Sequence, residues 1–207
     1  MTNVLIVEDQ RMTREYMEDY ITKSGRYALA GSVSNAALAE MCCMNGRVDL
    51  ILMDVCTAQD ESGLCAASRI KKYFPEIKII IVTSMPEHSF IEKARAAGAE
   101  SFCYKDAGQK TLLEVMDRTM NGESVYPDAV PPLEIGLARS DEFTARELET
   151  LRLVVEGLTY AEIAEKLSVS VAPVKFHVNN MLQKTGSTRK TQLAVSVINK
   201  KLILPGF

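Results

Sequence analysis

Through the first part of the chain, short apolar runs alternate with longer stretches whose apolar residues recur at helical spacing. Val4–Val7, Tyr27–Ser32, Val48–Met53, Ile77–Val82 and Glu100–Tyr104 read as strands, the third suited to burial on both faces, the fourth the most apolar and the fifth a weaker one. Between them, Arg11–Lys23, Asn35–Met44, Gly63–Tyr73, Glu87–Ala97 and Gln109–Asn121 read as helices. In the first of these, Met12, Tyr16, Met17, Tyr20 and Ile21 share one face, and Gly25 stops it; Gly98 and Gly122 stop two others. Strict alternation of strand and helix predicts a doubly wound α/β unit: a five-stranded parallel sheet, helices on both faces, right-handed crossovers.

The pattern then changes. Residues 121 to 139 hold three prolines and two glycines with no sustained period, so a linker is expected over 123–140, between a first domain at 1–122 and a second at 141–207. Thr144 and Glu147 form a capping box ahead of Leu148, Leu151, Val154 and Val155, and Gly157 ends that helix. Thr159 caps a second helix, Tyr160–Leu167; after Ser168-Val169-Ser170 a third runs from Val171 to about 184, and a fourth spans Arg189–Lys201. Small Ala164, with Ile163, Leu167, Val169, Val174 and Val178, suits two helices crossing steeply, as in a helix-turn-helix. The second domain is therefore expected to be a small all-α four-helix unit.

Charge sharpens the division. The net charge over 207 residues is only -3, yet from Ser168 onward there is no acid, while Lys175, Lys184, Arg189, Lys190, Lys200 and Lys201 all fall there. A basic end on an acidic chain is the asymmetry expected when one module meets a polyanion. Five cysteines without a CxxC pair, and no secretory signal at the start, predict reduced thiols and a cytoplasmic location. No apolar run approaches the ~20 residues that span a bilayer, so no membrane partner is expected. His88 and His177 lack cysteines at zinc spacing. His177 is expected to be packed and hydrogen-bonded.

Strand ends carry the chemistry. Glu8 and Asp9 follow the first strand, Asp54 the third, Thr83 the fourth and Lys105 the fifth, all at the edge where parallel sheets bind ligands. Three carboxylates packed together repel one another, which implies a hard, oxygen-seeking cation, with Mg²⁺ the expected ion. Asp54, flanked by the others, is the expected nucleophile toward a phosphoryl group, with lysine and metal offsetting charge and a hydroxyl donating to an oxygen.

These segments resemble the receiver domain of response regulators: Ile-Val-Glu-Asp-Gln at 6–10, Leu-Met-Asp at 52–54, Ile-Val-Thr-Ser at 81–84 and Gly-Ala-Glu-Ser-Phe-Cys-Tyr-Lys at 98–105. The resemblance implies a flavodoxin-like fold in which Asp54 accepts a phosphoryl group from a sensor histidine kinase. It further implies that Glu8, Asp9, Asp54 and the backbone carbonyl of Cys56 hold Mg²⁺, that Thr83 and Lys105 bind the phosphoryl oxygens, and that Thr83 and Phe102 act as the switch. One departure stands out: Thr57-Ala58 replaces the family's Met-Pro, Gly63 arrives one residue late, and Asp60 and Glu61 add acid nearby. A looser loop is the expectation, with phosphorylation that is slow or that needs a particular kinase.

Phe-Thr-Ala-Arg-Glu-Leu-Glu-Thr-Leu at 143–151, Glu-Ile-Ala-Glu-Lys-Leu at 162–167 and Val-Lys-Phe-His-Val at 174–178 resemble the LuxR-type DNA-binding domain, so nearly the whole chain is similar to the NarL/FixJ class of transcription factors. That resemblance implies binding of double-stranded DNA by the third helix, with Lys175, Phe176 and Asn179 toward base edges and Lys184, Arg189 and Lys190 toward phosphates. It also implies a homodimer when active, with Val195 and Ile198 as pairing candidates, and RNA polymerase as a further partner. Pro173 stands in place of the family's threonine, tolerable in a first helical turn. No catalytic residue for turnover is expected: an aspartate-nucleophile phosphatase would carry a second Asp where this chain has Cys56. The alternative is an atypical receiver that regulates transcription without phosphorylation.

Overall fold

The computed structural model describes residues 1–200, 202 and 203, and of residues 60, 88, 107 and 109 only the backbone. Lys201 and the side chain of Asp60 therefore lie outside the described residues. The chain forms two units, the first of Met1–Ser84 and His88–Ala129, the second of Met85–Glu87 and the residues from Val130 onward.

In the first unit, strands β1 (Thr2–Val7), β2 (Tyr27–Val33), β3 (Leu50–Met53), β4 (Lys78–Thr83) and β5 (Ser101–Tyr104) alternate with helices α1 (Arg11–Lys23), α2 (Ala36–Asn45), α3 (Gly63–Tyr73), α4 (His88–Ala96) and α5 (Gln109–Met120). All pairings are parallel, in the order β2-β1-β3-β4-β5. This is the doubly wound flavodoxin-like arrangement. Pleating sorts the apolar runs: Val4, Ile6, Leu50, Leu52, Ile80 and Val82 pack with Met17 and Ile21 of α1 and Leu112, Val115 and Met116 of α5. Alternate residues Leu5, Ile51, Met53, Ile79 and Ile81 are equally buried toward the other face. Each such side chain contributes about 1.5–3 kcal/mol of burial, so β1, β3 and β4 hold the strand ends rigidly.

Most of the expected linker belongs to one unit or the other. Val125 lies along β5, its carbonyl accepting from the Phe102 N–H at 2.8 Å and its own N–H donating to Ser101 Oγ at 3.0 Å. Tyr126 donates its hydroxyl to the Ala99 carbonyl at 2.7 Å, beneath the Arg95 guanidinium. Further on, β6 (Glu134–Ile135) and β7 (Ala138–Arg139) form a hairpin that places Ile135 and Ala138 in the second core.

Helices α6 (Ala145–Val155), α7 (Tyr160–Lys166), α8 (Val171–Thr185) and α9 (Lys190–Asn199) make up that second unit. Thr144–Glu147 and Thr159–Glu162 both form reciprocal capping boxes. Ile163, Ala164, Val174 and Val178 pack between α7 and α8 as the spacing predicts. The turn joining them needs Ser168 at φ 53°, a left-handed conformation that nothing in the local sequence announces.

Candidate functional site

Sheet register brings the acids together. Val7 pairs with Met53, so Glu8 and Asp54 leave the sheet side by side, their amides donating to the Val33 and Val7 carbonyls at 3.0 and 2.9 Å. Thr83 pairs with Tyr104, and Lys105 follows directly. Carboxylate oxygens of Glu8, Asp9 and Asp54 lie within 4.8 Å of one another. Glu8 and Asp54 are 1% and 6% exposed, Thr83 is fully buried, and Asp9 faces solvent. Lys105 Nζ stands 2.7 Å from Asp54 Oδ2 and 2.5 Å from Glu8 Oε2. The other Asp54 oxygen accepts from the Val55 N–H at 2.7 Å.

Burial sets the electrostatics. Loss of solvent, and for Glu8 the neighbouring Asp54 charge, raise both carboxyl pKa values above the ordinary range, and Lys105 only partly opposes this. Burial alone would depress the Lys105 pKa, but Asp54 and Glu8 outweigh it and hold the ammonium charged. One lysine cannot neutralise three carboxylates. Glu8 Oε2 is buried with no hydrogen-bond partner among the described residues, the Lys105 ammonium 2.5 Å away being its ion-pair partner. Hard oxygens with uncompensated charge and a buried lone pair fit a small divalent cation such as Mg²⁺.

The loop after Asp54 differs from the loose segment that its missing proline suggests. Thr57 Oγ1 accepts from the Ala36 N–H at 3.0 Å and donates to the Glu61 carbonyl at 2.8 Å, which the Thr57 N–H also reaches at 3.1 Å. Asn35 caps α2 through Ala37 and donates to the Ala58 carbonyl at 2.8 Å and Gln59 Oε1 at 3.1 Å. Gln59 is thereby held at φ 64°. Gly63, though displaced in sequence, is indispensable: a Cβ there would lie 1.8 Å from the Asp54 carbonyl. Glu61 is absent from the acidic cluster.

Arg14, Asn35 and Thr57 were not legible as site residues. Arg14 donates to the Glu8 carbonyl at 2.6 Å and bridges toward that of Asp9, fixing the acidic turn. Its only sequence signal is its place in the first turns of α1. Phe102 is 1% exposed, edge-on to Tyr104 and stacked on Tyr126.

In the second unit, Lys175, Phe176 and Asn179 lie on one exposed stripe of α8, and Arg189, the N-cap of α9, is exposed. Two of the expected phosphate contacts are otherwise engaged. Lys184 pairs with buried Glu147 at 2.7 Å and donates to the Glu142 carbonyl, and Lys190 donates to the Leu158 carbonyl at 2.8 Å over the Tyr160 ring. His177, expected to be packed and hydrogen-bonded, is half-buried with its ring edge against Phe176, because its helix position falls at the margin of the core. Pro173 sits in the exposed first turn of α8, where its missing N–H costs no helical bond.

Fold and sites together define a two-component regulator, and the chain belongs to the response regulators with a LuxR-type DNA-binding domain. Residues 4–117 match the response regulator receiver domain and residues 141–197 the bacterial regulatory proteins of the luxR family. The response regulator protein VraR of Staphylococcus aureus is 30% identical over 205 residues, covering 97% of this chain and 98% of that protein. RcsB of Salmonella enterica serovar Typhimurium, bound to promoter rprA in the presence of phosphomimetic BeF3-, has a similar fold (TM-score 0.64, 18% identity, 95% and 98% of the two chains). So does a further RcsB–DNA complex (TM-score 0.66, 18% identity, 95% and 98%). No helix among the described residues is long and apolar enough to cross a membrane.

Proposed function

We propose that Asp54 accepts a phosphoryl group from a sensor histidine kinase and that this event controls how the second unit binds double-stranded DNA. The observation that carries this is the buried Asp54 carboxylate between Glu8 and Lys105, with Asp9 completing the acidic cluster. An Asp54 oxygen attacks phosphorus as the bond to the kinase imidazole breaks, the electron pair leaving on that nitrogen. Lys105 follows the charge onto the phosphoryl oxygens, and the Thr83 hydroxyl donates to one of them. Glu8, Asp9, Asp54 and the Cys56 carbonyl would hold Mg²⁺, whose charge offsets that of the transferring group. Burial keeps water from the resulting acyl phosphate. Drawing Thr83 and Lys105 inward then alters the surface around Phe102.

On DNA, Lys175, Phe176 and Asn179 face base edges while Arg189 meets phosphate, and two copies pair across half-sites, with exposed Val195 and half-buried Ile198 as contact candidates. RNA polymerase is a further partner of such a complex. The alternative is an atypical receiver that regulates transcription without phosphorylation. Selection from a random DNA pool with and without a small phosphodonor tests the proposal: a preferred sequence enriched more strongly with donor supports it. Equal enrichment with and without donor supports the alternative, and no enrichment rejects both.

A further inference from the structure

We infer that Thr57 is a positioning residue for the cation site, taking over by hydrogen bonds the stiffening that a proline at the next position would give. The inference rests on the proposed phosphoacceptor reading and concerns how its backbone ligand is aimed. The Cys56 carbonyl and the Thr57 N–H belong to one planar trans peptide, so they point in opposite directions. Anchoring that N–H on the Glu61 carbonyl at 3.1 Å therefore fixes the direction of the Cys56 oxygen. The Thr57 hydroxyl ties the same residue a second time, donating to the Glu61 carbonyl at 2.8 Å while taking the Ala36 N–H at 3.0 Å.

The clasp is built into the core. Thr57 and Asn35 are 5% and 7% exposed, and Ala58 donates its N–H to the Ser34 carbonyl at 2.9 Å. On the acceptor side the Gly63 N–H donates to the Val55 carbonyl at 2.9 Å, so both flanks of Cys56 are tied. A hydroxyl that orients a ligand without touching the ion belongs to the class of outer partners whose loss weakens metal binding by about 10–100-fold.

Thr57→Val keeps the shape and removes both hydroxyl bonds; Thr57→Ser keeps the bonds. Mn²⁺, an oxygen-seeking probe ion, is titrated into the full-length chain and the free ion followed by electron paramagnetic resonance. We expect wild type and Thr57→Ser to bind alike and Thr57→Val about tenfold more weakly, with unchanged circular dichroism. Phosphorylation of Asp54 by a small phosphodonor should slow in Thr57→Val at limiting Mg²⁺ and recover at saturating Mg²⁺. Equal Mn²⁺ affinity in wild type and Thr57→Val overturns the inference alone. A Thr57→Val chain that loses its circular dichroism assigns Thr57 to the fold and also overturns it. A wild type that takes up no Mn²⁺ removes the reading of the site and the inference with it.

Discussion

Lys105 Nζ lies 2.7 Å from Asp54 Oδ2, joining the end of β5 to the end of β3 across the intervening strand β4. The same ammonium reaches Glu8, so one cation serves two buried carboxylates and neither is fully compensated. Breaking such a buried pair by removing one partner is strongly destabilising, because an uncompensated charge stays behind.

That imbalance gives the first unit a defined pH dependence. The Glu8 and Asp54 carboxyls have raised folded values, so between the ordinary carboxylate range and those values the folded state keeps protons that the unfolded chain has released. Stability therefore falls as pH rises through that window. Without divalent cation, thermal midpoints should rise as pH is lowered from 7 toward the carboxylate range. Glu8→Gln should flatten the rise, and millimolar Mg²⁺ should raise the midpoint at pH 7 most. A midpoint insensitive to Mg²⁺ at pH 7 would contradict this.

Gly63 is constrained by contact, not by dihedral freedom. A methyl group 1.8 Å from the Asp54 carbonyl must displace α3 or the acceptor. Gly63→Ala should cost about 2 kcal/mol or more in chemical denaturation and slow Asp54 modification. Wild-type stability and modification in this variant would show that the helix start yields freely.

Lys184 serves the second unit's own fold. Its pair with Glu147 ties α8 to the capping box that starts α6. The Glu147 pKa is lowered: burial opposes ionisation, but Lys184 and the Thr144 amide outweigh it, so this stability is lost only as pH falls through the lowered value. Lys184→Ala should reduce stability by about 1–3 kcal/mol in denaturant titration, while the salt slope of DNA binding changes little. A lost phosphate contact with unchanged stability would reverse the assignment.

Lys175 and Arg189 should separate by readout. Lys175→Ala is expected to relax discrimination by ~1–3 kcal/mol at one base position, whereas Arg189→Ala weakens all sequences alike and lowers the salt slope. Competition binding at several salt concentrations distinguishes them. Unchanged site preference in Lys175→Ala would mean that another face of α8 enters the groove.

Local signals were legible and tertiary ones were not. The buried strands, the strand-end acids, the Thr144 capping box and the Thr159 cap follow from neighbours a few residues apart, and Glu8, Asp54 and Lys105 meet where the alternation puts them. The 123–140 segment misleads because its prolines and glycines disguise Val125 and Ile135, which become ordered only against β5 and the second core. Lys184 and Lys190 read as phosphate contacts, because the partners that hold them, Glu147 and the Leu158 carbonyl, are remote in sequence. The loop after Asp54 looked slack for the same reason, since Asn35 and Thr57 close it from separate elements.

The most direct measurement is intact mass after incubation with Mg²⁺ and a small phosphodonor. Wild type should gain one phosphoryl group that alkaline hydroxylamine removes, while Asp54→Asn gains none and Lys105→Ala gains it without the wild-type change in DNA affinity. A wild-type chain that stays unmodified under kinase and donor alike, or an Asp54→Asn chain that is modified equally, would contradict a phosphoacceptor at Asp54.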